Sequence, residues 1–322
     1  MSHLTREQRY TIASILQNGY NQKEIALVIK KDKSVVSREI RRNADARSGV
    51  YRDDLAHRKY LKRQEYKAKP RTFTPEVEEY VRDRLRLKHS PEQIAGVAKK
   101  NGDKCVSHER IYQFIWQDKR KKGTLYLDLR NRGRRYKKRS VIYDKRGIIP
   151  NRTDISQRPP EVELRERFGD LEIDLIIGKN HKGAILTIND RATGFGKLRK
   201  LDGKDAQQLA TATIDCLMEW KPFLKTITSD NGKEFAAHEL VAKHLNIDFF
   251  FAKPYASWQR GSNENFNRLV RQYIPKKVDF DCIPTDYINF VEYQLNNRPR
   301  KRFKYESPMF MFNQLFFIFL FF

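Results

Sequence analysis

Asp174, Asp230 and Glu264 are the residues of this chain whose types and settings best suit chemistry. Asp174 interrupts an apolar, strand-like run, Asp170-Leu171-Glu172-Ile173-Asp174-Leu175-Ile176-Ile177-Gly178, that has no obvious use for a charge. Asp230 ends the short strand pattern Thr226-Ile227-Thr228-Ser229-Asp230, before the turn signal Asn231-Gly232. Glu264 lies in Trp258-Gln259-Arg260-Gly261-Ser262-Asn263-Glu264-Asn265, at the start of a helical run. Three acids converging from two strand ends and one helix could hold a pair of Mg²⁺ ions. Such a pair clamps the attacking and leaving oxygens of a phosphoryl displacement. Structural roles compete: Asp230 also suits a turn, and Glu264 a helix start. Asp174, inside a strand, has the weakest structural alternative. Glu172 shares its strand face, because side chains repeat every two residues, and is a candidate either to support the ligands from behind or to serve as an auxiliary ligand. Asp190 is a weaker one.

The 322 residues carry a net charge of +25, unevenly spread. Residues 1–150 hold 39 Lys+Arg against 18 Asp+Glu, and residues 151–322 hold 26 against 22. A basic half joined to a near-neutral half implies a polyanion-binding region feeding a separately folded domain. The phosphate is therefore expected to belong to nucleic acid. Cys105, Cys216 and Cys282 are odd in number and far apart, giving neither a disulfide framework nor a zinc site. No apolar signal segment opens the chain, and a cytoplasmic location, with nucleoid association through DNA, is expected. At the other end, Leu315 to Phe322 is wholly apolar, and seven of the 20 Phe lie between Phe310 and Phe322. That run is shorter than the roughly 20 residues of a membrane span. It reads as a core helix, a partner-binding tail or a damaged end, and if exposed it would promote aggregation.

The elements that must position these groups follow from caps and periodicity. Thr5 with Gln8 makes a capping box for a helix carrying Ile12, Ala13, Ile15 and Leu16. Asn21 opens a second helix and Ser34 a third, which bears Ser37, Arg38, Arg41 and Arg42. This is the layout of a helix-turn-helix, with the third helix in the major groove and Ser34, Ser37, Arg38, Arg41 and Arg42 as DNA contacts. An ordinary three-helix bundle with a basic face is the alternative. The pattern recurs: Thr74-Pro75, Ser90-Pro91 and Ser107 open three more helices, and Ser107, His108 and Arg110 would be the second set of contacts. His108 reads equally well as a capping or surface residue. From Lys119 to Arg146 stand 13 basic residues, including Arg132, Arg134 and Arg135, against two acidic ones, a run suited to tracking phosphates. Boundaries are expected at 1–65, 70–118, 119–160 (a basic linker), 161–308 and 309–322.

Residues 168–260 alternate strand and helix signals. Strands are expected over 171–177, 184–188, 195–201, 225–228 and 247–252, and helices over 204–220, 236–245, 263–273 and 287–295. Three strands, then helix, strand, helix, strand, helix is the order of a ribonuclease-H-like fold.

Together, the tandem helix-turn-helix start, Glu172 to Gly178, Ser229-Asp230-Asn231-Gly232-Lys233-Glu234-Phe235 and Arg260 to Asn265 resemble a bacterial insertion-sequence transposase of the insertion-sequence thirty family. The resemblance spans residues 1–308, and the 33 residues between Asp230 and Glu264 match the family's DDE spacing. It implies a multidomain chain: an all-α helix-turn-helix half, then an α/β ribonuclease-H-like, retroviral-integrase-like catalytic domain. Asp174, Asp230 and Glu264 would be the catalytic triad, binding two Mg²⁺ ions for which Mn²⁺ can substitute. Activated water would hydrolyse the phosphodiester at each terminal repeat, and the freed 3′-hydroxyl would attack target DNA. Partners would be double-stranded DNA and a second copy, as a homodimer or larger synaptic assembly. Arg271, two helical turns after Glu264, matches a basic residue of such enzymes and could hold a DNA phosphate. Lys253-Pro254-Tyr255 and Trp258 stand as DNA contacts or packing residues. The Phe-rich tail departs from the family pattern, as a shifted reading frame or truncation would make it do. A DNA-binding regulator that no longer cuts, and a plain nuclease, are the other function classes.

Overall fold

A computed structural model of the chain describes residues 3–66, 72–132, 149–254, 256–276 and 278–320. It divides into two compact units, Met1–Arg71 and Thr72–Phe322.

In the first unit, α1 (Arg6–Gln17), α2 (Gln22–Val28) and α3 (Lys33–Asn43) start where side chains satisfy the free amides of a first helical turn. Thr5 and Asn21 form the capping boxes. At α3 the cap is Asp32, not Ser34: the Ser34 amide donates to Asp32 Oδ1 at 2.8 Å. The carboxylate two residues earlier wins this amide, and Ser34 lies inside the helix. A fourth helix, α4 (Asp53–Tyr66), has no counterpart among the expected elements. Charged residues fill most of it, and Ala56 is its one buried residue, so periodicity is faint. Ile12, Ile25 and Val36 are fully buried. Beside them the buried Arg9 pairs with Glu39 at 2.8 Å and lies over the Tyr60 ring.

The second unit begins with α5 (Pro75–Arg86), α6 (Pro91–Asn101) and α7 (His108–Arg120), capped by Thr74, Ser90 and Ser107 as expected. Val81, Leu85, Ile94, Ile111 and Ile115 close their core, and Leu129, from the stretch expected to be linker, joins it. The mixed α/β part follows. Its elements are β1 (Thr153–Asp154), α8 (Glu161–Leu164), β2 (Asp170–Ile177), β3 (Ala184–Asp190), β4 (Gly196–Leu201), α9 (Ala206–Leu217), β5 (Thr226–Ser229), α10 (His238–Leu245), β6 (Asp248–Phe251), α11 (Gly261–Tyr273), α12 (Thr285–Asn296) and α13 (Pro308–Leu320). Sheet order is β1-β6-β5-β2-β3-β4. β2, β3 and β4 form an antiparallel meander, and β5 runs parallel to β2, as β6 does to β5. This is the ribonuclease-H-like order. β1 also lies within the expected linker and pairs with β6.

Strand parity sorts the two faces. Leu171, Ile173 and Leu175 point into a core shared with α9 and α10. Ile176 and Ile185 point the other way, against Phe266, Leu269 and Val270 of α11 and Ile288 and Val291 of α12. Burial on both faces explains the nearly unbroken apolar run of β2. α11 approaches closely because Gly196 has no side chain: a Cβ there would stand 2.2 Å from the Phe266 ring. The free edge of β4 is closed by α12, where Asn296 Oδ1 accepts from Gly196 N at 2.9 Å and Glu292 from Leu198 N at 2.6 Å.

The Phe-rich tail is not simply a loose end. In α13, Met309, Phe312 and Leu315 pack on the first core. The Phe312 ring lies 4.6 Å from Phe195, 5.2 Å from Phe168 and 5.4 Å from Trp220. Phe312→Ala should therefore lower stability by about 2 kcal/mol or more, below the ~3–5 of a fully enclosed Phe. Urea unfolding of the full chain checks this, and an unchanged midpoint would show that the tail helix does not belong to the core.

Candidate active site

β2 and β5 are parallel neighbours, with Glu172 opposite Thr228. Two residues further along come Asp174 and Asp230, so two carboxylates leave adjacent strands at the same level. Between them lies a guanidinium. Arg260 Nη1 is 3.6 Å from Asp174 Oδ2, and Nη2 is 3.6 Å from Asp230 Oδ2. Arg260 is anchored by a 3.0 Å hydrogen bond to the Ile173 carbonyl. Asp174 Oδ2 also accepts from Asn267 Nδ2 at 2.9 Å, and its Oδ1 from Leu175 N at 2.8 Å. Asp230 Oδ1 accepts from Gly232 N at 3.0 Å, so the turn role and the site role coexist in one side chain.

Burial pushes the Asp174 carboxyl up to about 6; Arg260 pulls it down, and Asp230 and then Glu234 push it up further. Burial sets the direction, and Arg260 acts on Asp174 more strongly than Asp230 does. Glu264 lines the same cavity of about 540 Å³ as Asp174, together with Arg260, Arg268, Arg271 and Lys276. Its carboxylate is held by Arg268, one turn further along α11. Among the described residues, no three His, Cys, Asp or Glu side chains stand close enough to form a metal-binding group. Arg260 bridges Asp174 and Asp230, and Arg268 pairs with Glu264. The donors themselves are hard carboxylate oxygens, and a cation already sits between two of them, which fits a divalent metal.

Glu172 has the expected strand face. It is fully buried, with one oxygen on Arg191 and the other accepting from Asn263 N, in the first turn of α11, at 2.8 Å. Both oxygens are engaged by protein donors, the arrangement of a residue that positions its neighbours. Arg191, 1% exposed, continues to Glu163 Oε2 at 2.9 Å and to the Val162 carbonyl. Asp190 is buried too, and accepts from Gly169 N and from the Thr193 amide and hydroxyl. It closes the β3–β4 turn. Arg271 is no loose surface residue: Nη2 donates to the Ile177 carbonyl at 2.9 Å, and burial lowers its pKa. Arg260, Asn267 and Arg268 were not expected as individual site residues. Their signal was spacing, since Arg260 and Arg268 lie four residues either side of Glu264.

The expected DNA contacts divide. Ser34, Ser37, Arg38, Arg41 and Arg42 are all exposed on α3, and Arg38 is pre-oriented by Ser34 through its carbonyl and hydroxyl, both at 3.0 Å. On α7, the Ser107 hydroxyl accepts from Arg110 N as the cap. Ser107 and His108 share a cavity with Lys301 and Tyr305, and exposed Arg110 lies over the Phe73 ring. Arg132 is turned inward, donating to the Gln272 carbonyl of α11 at 3.1 Å, a bond that draws it away from the basic run. Arg134 and Arg135 lie outside the described residues, as does Tyr255. Trp258 is 76% exposed, so packing does not explain it.

Comparison with known proteins now decides the family. A "Helix-turn-helix domain" pattern matches residues 1–43. The transposase for insertion sequence element IS4351 of Bacteroides fragilis is 52% identical over 313 residues, covering 97% of this chain and 96% of that protein. The transposase InsI for insertion sequence element IS30C of Escherichia coli (strain K12) is 30% identical, covering 96% and 82%. The chain belongs to the IS30 family of insertion-sequence transposases. The activity of such a transposase is DNA transposition, its partner is DNA and it is a DNA-cleaving enzyme. Among solved structures, the catalytic core domain of BIV integrase aligns at TM-score 0.37 and 18% identity, covering 45% of this chain and 93% of that one. At that distance the sheet order, not the superposition, carries the fold. No helix among the described residues is long and apolar enough to cross a membrane.

Removing one member of a buried ion pair leaves the other uncompensated. Glu172→Ala should therefore cost about 3–5 kcal/mol in urea unfolding, whereas a loss under about 1 kcal/mol, the scale of an exposed pair, would show that Arg191 does not depend on it.

Proposed function

We propose that Asp174, Asp230 and Glu264 are the catalytic carboxylates of a DDE transposase and hold two Mg²⁺ ions, or Mn²⁺ in their place. The observation that carries this is the Arg260 guanidinium shared by Asp174 and Asp230, at the cavity that Glu264 lines. It marks a point where two adjacent strand ends already bind positive charge. When bound, the metal supplies charge neutralisation for the attacking and leaving oxygens of a phosphodiester.

The chain's own groups do the rest. Asn267 fixes the rotamer of Asp174. Arg130, Arg268 and Lys276 present positive charge around the cavity and favour the scissile strand's phosphates. Arg271, with its carbonyl anchors, holds the wall behind Glu264 and faces the same cavity. Water oxygen bonds to phosphorus, the bond to the 3′-oxygen breaks, and a 3′-hydroxyl and a 5′-phosphate result. The freed 3′-hydroxyl then attacks a target phosphodiester in the same way. Exposed Ser34, Ser37, Arg38, Arg41 and Arg42 on α3 read the terminal inverted repeats, and Ser107, His108 and Arg110 add a second contact. Joining two ends requires a homodimer or larger synaptic assembly, working at DNA in the cytoplasm. The chain then organises as a first DNA-binding unit (1–65), a second (70–118) whose core Leu129 extends, a basic connector, and a catalytic domain (161–308) on which α13 packs.

Asp230→Asn should abolish Mg²⁺-dependent breaks at the element's ends and leave end-binding within about twofold, read by mapping breaks and by gel shift. Equal loss of both would make Asp230 structural, and binding without breaks in the unaltered protein would leave a DNA-binding regulator. Arg38→Ala should weaken binding to the ends by about 1–3 kcal/mol and relax sequence preference at one position, the cost of a lost base contact. Equal weakening on every sequence would reassign Arg38 to the phosphates. Protons and metal compete for Asp174. Its raised pKa of about 6 means that Mn²⁺ affinity should be flat above that pH and fall as pH drops below it. A titration from pH 7.5 to 5, followed by Mn²⁺ resonance, checks the direction; affinity flat across the range would dismiss Asp174 as a ligand.

A further inference from the structure

The first turn of α11 has two sides. One carries Glu264 into the cavity that Asp174 also lines. The other borders a separate cavity of about 330 Å³, lined by Arg165, Arg300, Lys301 and Arg302 and, from α11, Ser262 and Asn265. Among the described residues no carboxylate lines it. Arg300 donates to the Leu295 carbonyl and Arg302 to the Ala192 carbonyl, so backbone oxygens steady them without cancelling their charge. Lys301 stands 3.7 Å from Glu92, both well exposed to water, a pairing of little strength. Burial, then repulsion from Arg298, Arg302 and Arg130, lowers the Arg300 pKa to about 9. These guanidiniums are crowded together for something other than each other.

The helix end adds to this. α11 has 13 residues and no capping side chain at its N-cap position; in its first turn Asn263 N is taken by Glu172. The Ser262 hydroxyl is shielded from solvent and has no hydrogen-bond partner. A buried hydroxyl without a partner is costly, and this one borders the cationic cavity. A helix start, a free hydroxyl and four cations are the donor set of a phosphate site.

We propose that this cavity binds a backbone phosphate of DNA, on the side of α11 opposite the cavity that Glu264 lines. The inference rests on the transposase reading for the identity of the polyanion, and on the cavity alone for the site. Lys301 and Arg302 supply the charge, and the Ser262 hydroxyl supplies the short donor. A strand held there is anchored to the helix that carries Glu264.

The test uses the full-length protein, a labelled duplex with the element's end, an unrelated duplex and a KCl series. Lys301→Gln and Arg302→Gln should each weaken both duplexes about equally and flatten the log affinity–log salt slope by about one. Mn²⁺ affinity should not change. Arg302→Lys should keep the slope and recover only part of the affinity, because an ammonium lacks the guanidinium's fork. Lys243→Gln removes the same charge from another cavity and should change nothing. Inorganic phosphate at constant ionic strength should compete with DNA on the unaltered protein and much less on Arg302→Gln. Unchanged slopes in both Gln variants, with DNA bound normally, would overturn the site and leave the transposase reading standing. Phosphate binding lost on Arg302→Gln without any change toward DNA would overturn it too, as a site for the free ion. Should the unaltered protein bind neither duplex, the reading beneath the proposal fails instead. Melting by circular dichroism detects misfolding of Arg302→Gln; if that variant misfolds, the salt slope of Lys301→Gln, altered at an exposed side chain, decides between these outcomes.

Discussion

The buried pair of Glu172 and Arg191 holds the catalytic half in shape. Both side chains are almost wholly withdrawn from water, and each such ion costs several kcal/mol to desolvate. That cost is recovered because neither has an idle atom. Arg191 spreads its donors over Glu172, Glu163 and the Val162 carbonyl. Glu172 gives its second oxygen to the Asn263 amide. A meander strand, the β3–β4 turn, the short α8 and the start of α11 are thereby tied at one point. Arg158 extends the knot to β5 through the Thr228 hydroxyl at 2.9 Å. The start of α11 decides where Glu264, Asn267 and Arg268 fall, so the site geometry depends on an interaction that never meets the reacting atoms.

Much of this was legible in the residues. Thr5 with Gln8, Asn21 with Glu24 and Ser90 with Gln93 mark helix starts by local chemistry, and those starts are where the structure has them. β2 to β6 announced themselves as apolar runs ended by turns. Asp174 stood out because a strand buried on both faces has no place for a solvated charge. What stayed hidden depends on partners distant in sequence. Alternation says which face Glu172 takes, but not that Arg191, 19 residues on, waits there. β1 has two polar residues and exists because β6 offers a free edge. α4 hides because one alanine is its whole buried face. The tail read as excess because its receptacle, formed by Phe168, Phe195 and Trp220, is assembled from three distant segments.

Charge is partitioned around α11 in a way that net charge conceals. One face meets carboxylates paired with arginines, and the opposite face meets arginines that donate to backbone carbonyls. The helix also buries Phe266, Leu269 and Val270. The second helical bundle docks near the same helix: Gln272 donates to the Asp128 carbonyl at 2.7 Å, and Arg130 to Asn265 Oδ1 at 2.9 Å. A shift of that bundle is therefore felt first by the helix carrying Glu264.

The docking of Phe312 has a consequence for the order in which a ribosome-bound chain acquires its abilities. The first helical unit closes on contacts within its own residues and is complete as soon as α4 emerges. The catalytic core, by contrast, keeps a gap beside Phe168, Phe195 and Trp220 until α13 has been made. During synthesis the chain can therefore grip DNA well before it has a finished centre with which to cut it.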